Sequence, residues 1–599
     1  MQEAIEVFQK HLGSDNYRTL SGKLALAWSH AGAGEFDAAK GLCEEILVSP
    51  RLHLTKELEW NTLLLYSVIL ERSGHRDAAI LFGKRAVNIV QGLRAGITSM
   101  DDALQKLYVR KRDTAFRTLA SFLVEEGRLP EAQQVVKMIK EEEHFGYVRR
   151  DAARGSVRES TATYTASEKG GMTRYDAIGR QLAAIGAEYD DLLRKKKAGL
   201  VEVDPARLKK LREDLRVAKR AFRAFLANLV KEVEAGSTQR AMQIGEKNLK
   251  YLKSLQGTLR TLGDGTVLIH YLITERKLHI IVTTSRVQIV RTVEIDRAAL
   301  NVRVNELAED FADLQSDPIR GSQAIYDLIL APIAEDLRQA NAKTLMFSLD
   351  GVLRYLPIAA LHNGKRYLIE DYEVVLYTEA AKSKLTAAPP KVWSMAGLGL
   401  TRAVEGFAAL PAVADELNAI VRTDSEDRDG VMPGVIYLNE NFSQEAIESA
   451  LEDEYPVLHV ASHFVFKPGT ERDSYLLLGD GGRLSLAEVL DNDLDFNSVT
   501  LLTLSACQTA LGSAGADGRE IEGFGWLAQR QGAKAVLATL WPVADKSTAT
   551  FMSTLYRHMQ TGALTKAAAM RKTMIEFIRS EDFSRPVFWG PFILMGNWR

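Results

Sequence analysis

Val499-Thr-Leu-Leu-Thr-Leu-Ser505-Ala506-Cys507 is a run of leucines and β-branched residues that stops at a thiol. Val457-Leu-His-Val-Ala-Ser-His463 is a second such run, and it stops at an imidazole. Both have strand length and neither has a helical period. Apolar runs without clean alternation suit a sheet covered on both faces, which points to a parallel α/β sheet. Such sheets bind ligands beyond the carboxyl ends of their strands. The sequence therefore sets one cysteine and one histidine at the chemically useful edge. They are 44 positions apart (507 − 463), which leaves room for one long crossover.

Those two residue types suit acyl transfer. A thiol with a pKa of about 8.5 is mostly protonated at neutral pH, and only the thiolate is a good nucleophile. A neighbouring imidazole can take its proton and return it to the leaving amine. The backbone N–H groups of Cys507 and Phe464 are the natural oxyanion donors. Buried cysteines are ordinarily inert packing, and Cys43, on a helix, reads that way. What sets Cys507 apart is the pairing of thiol and imidazole at two strand ends. His459 shares strand parity with His463 but lies inside its run, where a hydrogen-bonded core imidazole is expected. His463 is therefore assigned as the base.

The chain carries, in order, Leu349-Asp-Gly-Val-Leu-Arg-Tyr-Leu-Pro357, Leu458-His-Val-Ala-Ser-His463, Leu504-Ser-Ala-Cys507-Gln-Thr509, Gly532-Ala-Lys-Ala-Val536, Leu540-Trp-Pro-Val-Ala-Asp545 and Phe588-Trp-Gly-Pro-Phe-Ile-Leu-Met-Gly596. In that order these motifs resemble the CHAT family, the caspase-like and separase-like cysteine peptidases of clan CD that are often joined to tetratricopeptide repeats. The resemblance covers about residues 260–599. It implies a Cys507–His463 dyad, a pseudo-caspase half without a nucleophile, and an active half. The position after the family's histidine is commonly glycine and here is Phe464, which motivates an alternative reading as a catalytically inactive scaffold or adaptor. Acidic residues near the site, Asp545 and Asp517, would favour a Lys or Arg side chain before the cut bond; Asp545 reads first as the cap of the helix that follows it, from Lys546 onward. The resemblance further implies regulated roles in bacterial (antiviral) defence or cell death. Some relatives are switched on by a CRISPR RNA-guided effector, and others process gasdermin-like pore formers.

Composition sets the remaining bounds. With 599 residues the chain is multidomain. The 76 basic and 78 acidic residues nearly cancel, so direct nucleic-acid binding is not expected. Two cysteines make no disulfide framework and fit a cytoplasmic protein. No signal peptide, membrane span, metal site or cofactor loop is read.

Residues 1–149 read as tetratricopeptide-like helical repeats, because Gly34, Gly74 and Gly127 each stand five positions before an alanine, Ala39, Ala79 and Ala132. Such repeats offer a surface for an activator protein or ribonucleoprotein, such as an RNA-guided effector. Residues 150–172, rich in Ser, Thr, Gly and charge, read as a linker. Residues 173–262 read as a helical hairpin followed by a further helix. The seams are Tyr175, Ile178, Leu182, Ile185, Tyr189 and Leu192 against Leu208, Leu211, Leu215, Ala218, Phe222, Phe225 and Leu229. Its basic stretch, Arg194 to Arg223, reads as a solvated face. Residues 263–390 open with a three-strand meander, and the resemblance implies that they are the pseudo-caspase half. Within it Asp350 and Arg354 read as turn residues rather than cleft residues, and His270 and His279 as structural. Residues 391–599 form the active half, with a small-residue loop over Ala510 to Gly518.

Overall fold

A computed structural model describes residues 1–93, 102–145, 161–198, 204–235, 246–404, 406–465, 474–491, 494–505, 519–543 and 545–599. Cys507, Asp517 and the loop read over 510–518 lie outside the described residues, as do residues 150–160 of the expected linker. The chain divides into two units, Met1–Ile139 with Ala153–Leu252, and Lys140–Ala152 with Lys253–Arg599.

The first unit is helical. Its helices follow one another across the three glycines: Tyr17–Gly32 packs on Phe36–Leu47, Lys56–Arg72 packs on Arg76–Gly92, and Asp102–Glu125 is followed by Leu129–Phe145, which extends past Ile139. Gly34, Gly74 and Gly127 have φ of 82°, 82° and 67°. In each turn the next residue's N–H reaches back five positions, from Glu35 to His30, His75 to Leu70 and Arg128 to Leu123, at 2.8–2.9 Å. That is the left-handed helix stop that glycine permits. Ala39, Ala79 and Ala132 are fully buried, so the small side chain lets paired helices approach.

The expected linker is shorter than its composition suggested. A helix, Ala166–Lys197, begins inside it. Thr165 and Glu168 form a reciprocal capping box there, and Gly170-Gly171 lies within the helix. Burial explains the difference. Glu168, fully buried, accepts from Lys84 Nζ at 2.7 Å and from Arg128 Nη2 at 2.8 Å. Gly171 is a close-approach position, since a Cβ there would stand 2.7 Å from Leu229 Cδ1. The second arm, Pro205–Ala235, is opened by Asp204, whose carboxylate accepts from Ala206 N at 2.8 Å. Tyr175 meets Phe222 with ring centres 5.2 Å apart.

The second unit is built on strands β1 (Thr266–Ile273), β2 (Lys277–Thr283), β3 (Gln288–Glu294), β4 (Thr344–Ser348), β5 (Glu373–Leu376), β6 (Met395–Gly399), β7 (Val421–Arg422), β8 (Met432–Leu438), β9 (Val457–Ala461), β10 (Phe464–Val465), β11 (Tyr475–Leu477), β12 (Arg483–Ser485), β13 (Leu501–Ser505), β14 (Ala535–Thr539) and β15 (Phe592–Gly596). Among the described residues twelve of them form one sheet, in the order β3-β2-β1-β4-β5-β15-β14-β13-β9-β6-β8-β7. β10, β11 and β12 form a separate small sheet.

The large sheet is two parallel blocks joined at an antiparallel seam. β1, β4, β5 and β15 run one way; β14, β13, β9, β6, β8 and β7 run the other. The seam is β14–β15, with Ala535 opposite Gly596. So β15, the last of the described strands, is central and bonds to both blocks. The carboxyl ends of the two blocks consequently face opposite edges. Asp350 and Arg354, which follow β4, lie at the edge away from His463. Both are buried; Asp350 Oδ2 accepts from Ile273 N at 2.7 Å, and Arg354 Nη2 donates to Glu143 at 2.6 Å. His270 and His279 are buried within β1 and β2, and burial, with Lys140 and Lys382 adding to it, holds His270 at about 3, neutral at ordinary pH.

Candidate active site

Every residue of β9 and β13 is buried, as continuous apolar runs require. The two strands pair in parallel with Leu501 beside Val457 and Ser505 beside Ala461. β6 joins the other side of β9, with Gly399 beside Ala461, and β8 follows, with Leu438 beside Gly399. Four carboxyl ends thus line up at one rim.

His463 stands two residues beyond Ala461 and is 3% exposed. Its backbone is clamped by β11: Leu477 N donates to His463 O at 2.9 Å, and Ser462 Oγ donates to Leu477 O at 2.6 Å. Its ring is set by the loop after β6. Asn439, at a positive φ of 53°, accepts from both the N–H and the hydroxyl of Thr401 at 2.9 and 3.0 Å. The loop then turns at Gly406 (φ 84°), with Phe407 N bonded to Val404 O, and returns as Leu410 N bonds to Thr401 O. This brings the Ala408 carbonyl to 2.9 Å from His463 Nε2 and the Phe407 ring to 5.0 Å from the imidazole.

A carbonyl can only accept, so Nε2 carries the hydrogen. In the neutral ring Nδ1 is then the bare, basic nitrogen. It is buried and has no hydrogen-bond partner among the described residues. An orphaned buried acceptor is a functional signal, because such groups are ordinarily paired. Sequence reading found the histidine but not Ala408, whose contribution is a main-chain oxygen carrying no residue-type signature.

Phe464 opens β10, opposite Leu476, with its side chain buried. It is not among the residues with positive φ, so the backbone there does not demand glycine. Asp545 is the first residue of the helix Asp545–Gln560. Cys43 is fully buried, and burial, with Glu44 nearby, pushes its thiol far above the ordinary value.

His459 occupies a different setting. It is fully buried, with Nε2 at 3.0 Å from Glu416 Oε1 and Nδ1 at 2.9 Å from the Tyr556 hydroxyl. Glu416 Oε1 also accepts from Ser505 Oγ at 2.7 Å, and Tyr556 meets Thr503 Oγ1 at 2.7 Å. Burial raises the Tyr556 phenol and keeps it protonated. With a neutral imidazole every donor finds an acceptor: Thr503 to Tyr556, Tyr556 to Nδ1, then Nε2 and Ser505 to Glu416. This network leaves His459 no free nitrogen, and it fixes Ser505, the last described residue before Cys507. Glu416 was missed from sequence because a carboxylate on the short helix Val413–Ile420 reads as surface.

Residues 320–597 match the CHAT domain family model. Tetratricopeptide repeat protein 28 of Mus musculus is 25% identical over 339 residues, and that of Homo sapiens 24% over 330. The alignments cover 47% and 46% of this chain and 13% of each relative, so the chain spans about an eighth of their length. Among solved structures, the Saccharomyces cerevisiae separase–securin complex aligns over 99% of this chain and 60% of that one, with 10% identity and a TM-score of 0.40. The complex of the Porphyromonas gingivalis RgpB pro- and mature domains aligns over 50% of this chain and 76% of that one, with 7% identity and a TM-score of 0.30. Among the described residues no helix is long and apolar enough to cross a membrane.

Proposed function

We propose that this chain, a tetratricopeptide-like helical region joined to a CHAT domain of the caspase-like peptidase family, is a cysteine endopeptidase. Cys507 is the nucleophile and His463 the general base and acid. The observation that carries the reading is the state of the His463 ring: Nε2 is committed to the Ala408 carbonyl while Nδ1, buried at the rim, has no partner among the described residues. Support comes from the register. Cys507 follows Ser505 by two positions just as His463 follows Ala461, and Ser505 and Ala461 are partners on adjacent strands, which run about 4.8 Å apart.

In this mechanism Nδ1 takes the thiol proton as sulfur attacks the scissile carbonyl. The backbone N–H groups of Cys507 and Phe464 receive the oxyanion. Nδ1–H then protonates the leaving amine, and water hydrolyses the thioester with His463 again as base. The Ala408 carbonyl stabilises the imidazolium and holds its orientation. Asp545 and Asp517 select a basic residue before the cut bond. The helical unit receives a protein or ribonucleoprotein activator, in a role in bacterial defence or cell death.

The test exploits the cysteine count. Cys43 is buried with its thiol raised, so a peptide probe bearing a thiol-reactive group should label Cys507 alone. Labelling should fall by about 10²-fold or more in His463→Ala, the scale of a lost general base. Labelling indifferent to His463 would leave the scaffold reading, motivated by Phe464 in place of glycine, in its stead.

A further inference from the structure

A cleft of about 930 Å³ opens at the other edge of the same parallel block. Its walls are the residues that enter the strands: Ser394 before β6, Pro456 before β9, Thr500 before β13 and Lys534 before β14. Backbone bonds stitch these together, from Val457 to Ser394 at 3.3 Å, Thr500 to Pro456 at 2.8 Å and Lys534 to Val499 at 3.0 Å. At about 3.3 Å per strand residue the cleft is on the order of 20 Å from the His463 rim. It is a separate place, within the 300–1,000 Å³ range typical of ligand sites.

Three properties define what it would hold. Four carboxylates, Glu448, Glu452, Glu454 and Asp495, line the cleft with one ammonium, Lys534, while Lys384, outside the lining, attracts Asp495; no ion pair joins any of these carboxylates among the described residues. Its apolar lining is Leu451, Leu494 and Val392, the last 71% exposed. Thr500, 1% exposed, lines the cleft with its Oγ1 unpartnered. A buried hydroxyl without a partner costs about 1–3 kcal/mol, and natural proteins rarely leave one so.

A metal ion does not fit this pattern, because no group of three or more His, Cys, Asp or Glu side chains among the described residues converges tightly enough to hold one. The negative charge is spread along the cleft, not focused. A small polyamine would meet the charge but offers nothing to the apolar lining residues and no carbonyl to the Thr500 hydroxyl. An extended polypeptide carrying Lys or Arg between apolar residues supplies all three.

We propose that this cleft is a docking site for a basic, partly apolar polypeptide segment, remote from the rim where His463 lies. The proposal is independent of the peptidase reading, because its test reads binding alone. A fluorescein-labelled peptide of alternating Lys and Leu is titrated with the full chain and followed by anisotropy. Glu452→Lys with Asp495→Lys should weaken binding at least tenfold, and Thr500→Val several-fold, with melting unchanged. The control pair Glu581→Lys with Asp582→Lys, exposed elsewhere on the same unit, should bind as the parent does. Raising salt from 0.05 to 0.5 M should weaken the parent complex, since exposed charges are screened within a few ångströms there. Parent-like affinity in the reversal variant or in Thr500→Val, equal binding of a Glu–Leu peptide, or displacement by spermine at matched charge would each overturn it.

Discussion

Replacing Glu416 by leucine should be among the most damaging single changes in the second unit. Leucine is similar in volume, so little cavity forms. What is lost is the one oxygen that accepts both from Ser505 Oγ at 2.7 Å and from His459 Nε2 at 3.0 Å. Both donors are buried, and neither gains water in exchange. Each orphaned donor costs about 1–3 kcal/mol, so about 4 kcal/mol is expected for the pair. Glu416→Gln keeps an acceptor oxygen in place and should cost only about 1 kcal/mol, the difference between a charge-assisted and a neutral bond. Hydrogen exchange of peptides covering β9 and β13 measures this directly. At about 1.4 kcal/mol per decade, protection should fall roughly a thousandfold in Glu416→Leu and less than tenfold in Glu416→Gln. A leucine variant protected like the parent would refute the network's energetic role. A glutamine variant as damaged as the leucine one would show that ion pairing with a protonated His459, rather than acceptor geometry, holds the strands.

In the helical unit, burial alone would raise the Glu168 carboxyl, but Lys84 and Arg128 overcome it and hold the group at about 2, against 4.5 for a free glutamate. A lowered acid pKa gives stability that is complete above about pH 4.5 and is lost as pH falls through 2; at 1.36 kcal/mol per unit this is about 3 kcal/mol. Acid titration of exchange in the Arg76–Gly92 helix should show that loss, and Glu168→Gln should flatten it. Gly186→Ala places a Cβ 2.5 Å from Pro50 Cβ and should lower stability by about 1–3 kcal/mol through overpacking. Gly34→Ala meets nothing within 4 Å, yet φ is 82°, so a loss of about 1 kcal/mol from backbone strain is expected in thermal melts.

What could be read from sequence was local. The three helix-stop glycines, the meander before residue 294 and the two buried runs ending near His463 and Cys507 announce themselves because their physics is confined to a few neighbouring residues. The start of the Ala166–Lys197 helix escaped because its composition resembles a linker; its order comes from Lys84 and Arg128, far away in sequence. The place of β15 escaped because strand order in a sheet is set by which faces are left to cover, not by succession along the chain. At the rim, sequence supplied the imidazole and its position. It did not supply the Ala408 carbonyl, which any residue type could present, or Glu416, whose burial depends on Ser505 and His459 arriving beside it.

The central place of β15 also bears on biosynthesis. Every other described strand leaves the ribosome before Phe592–Gly596 does. Until that segment emerges, the two parallel blocks have no common hydrogen-bonded partner, and β14 and β5 each expose an unpaired edge. Completion of the sheet therefore waits for Phe592–Gly596, and it is slow for its size because the closing contacts span most of the unit. A chain cut before Phe592 would carry every rim residue yet lack the strand that unites the scaffold beneath them.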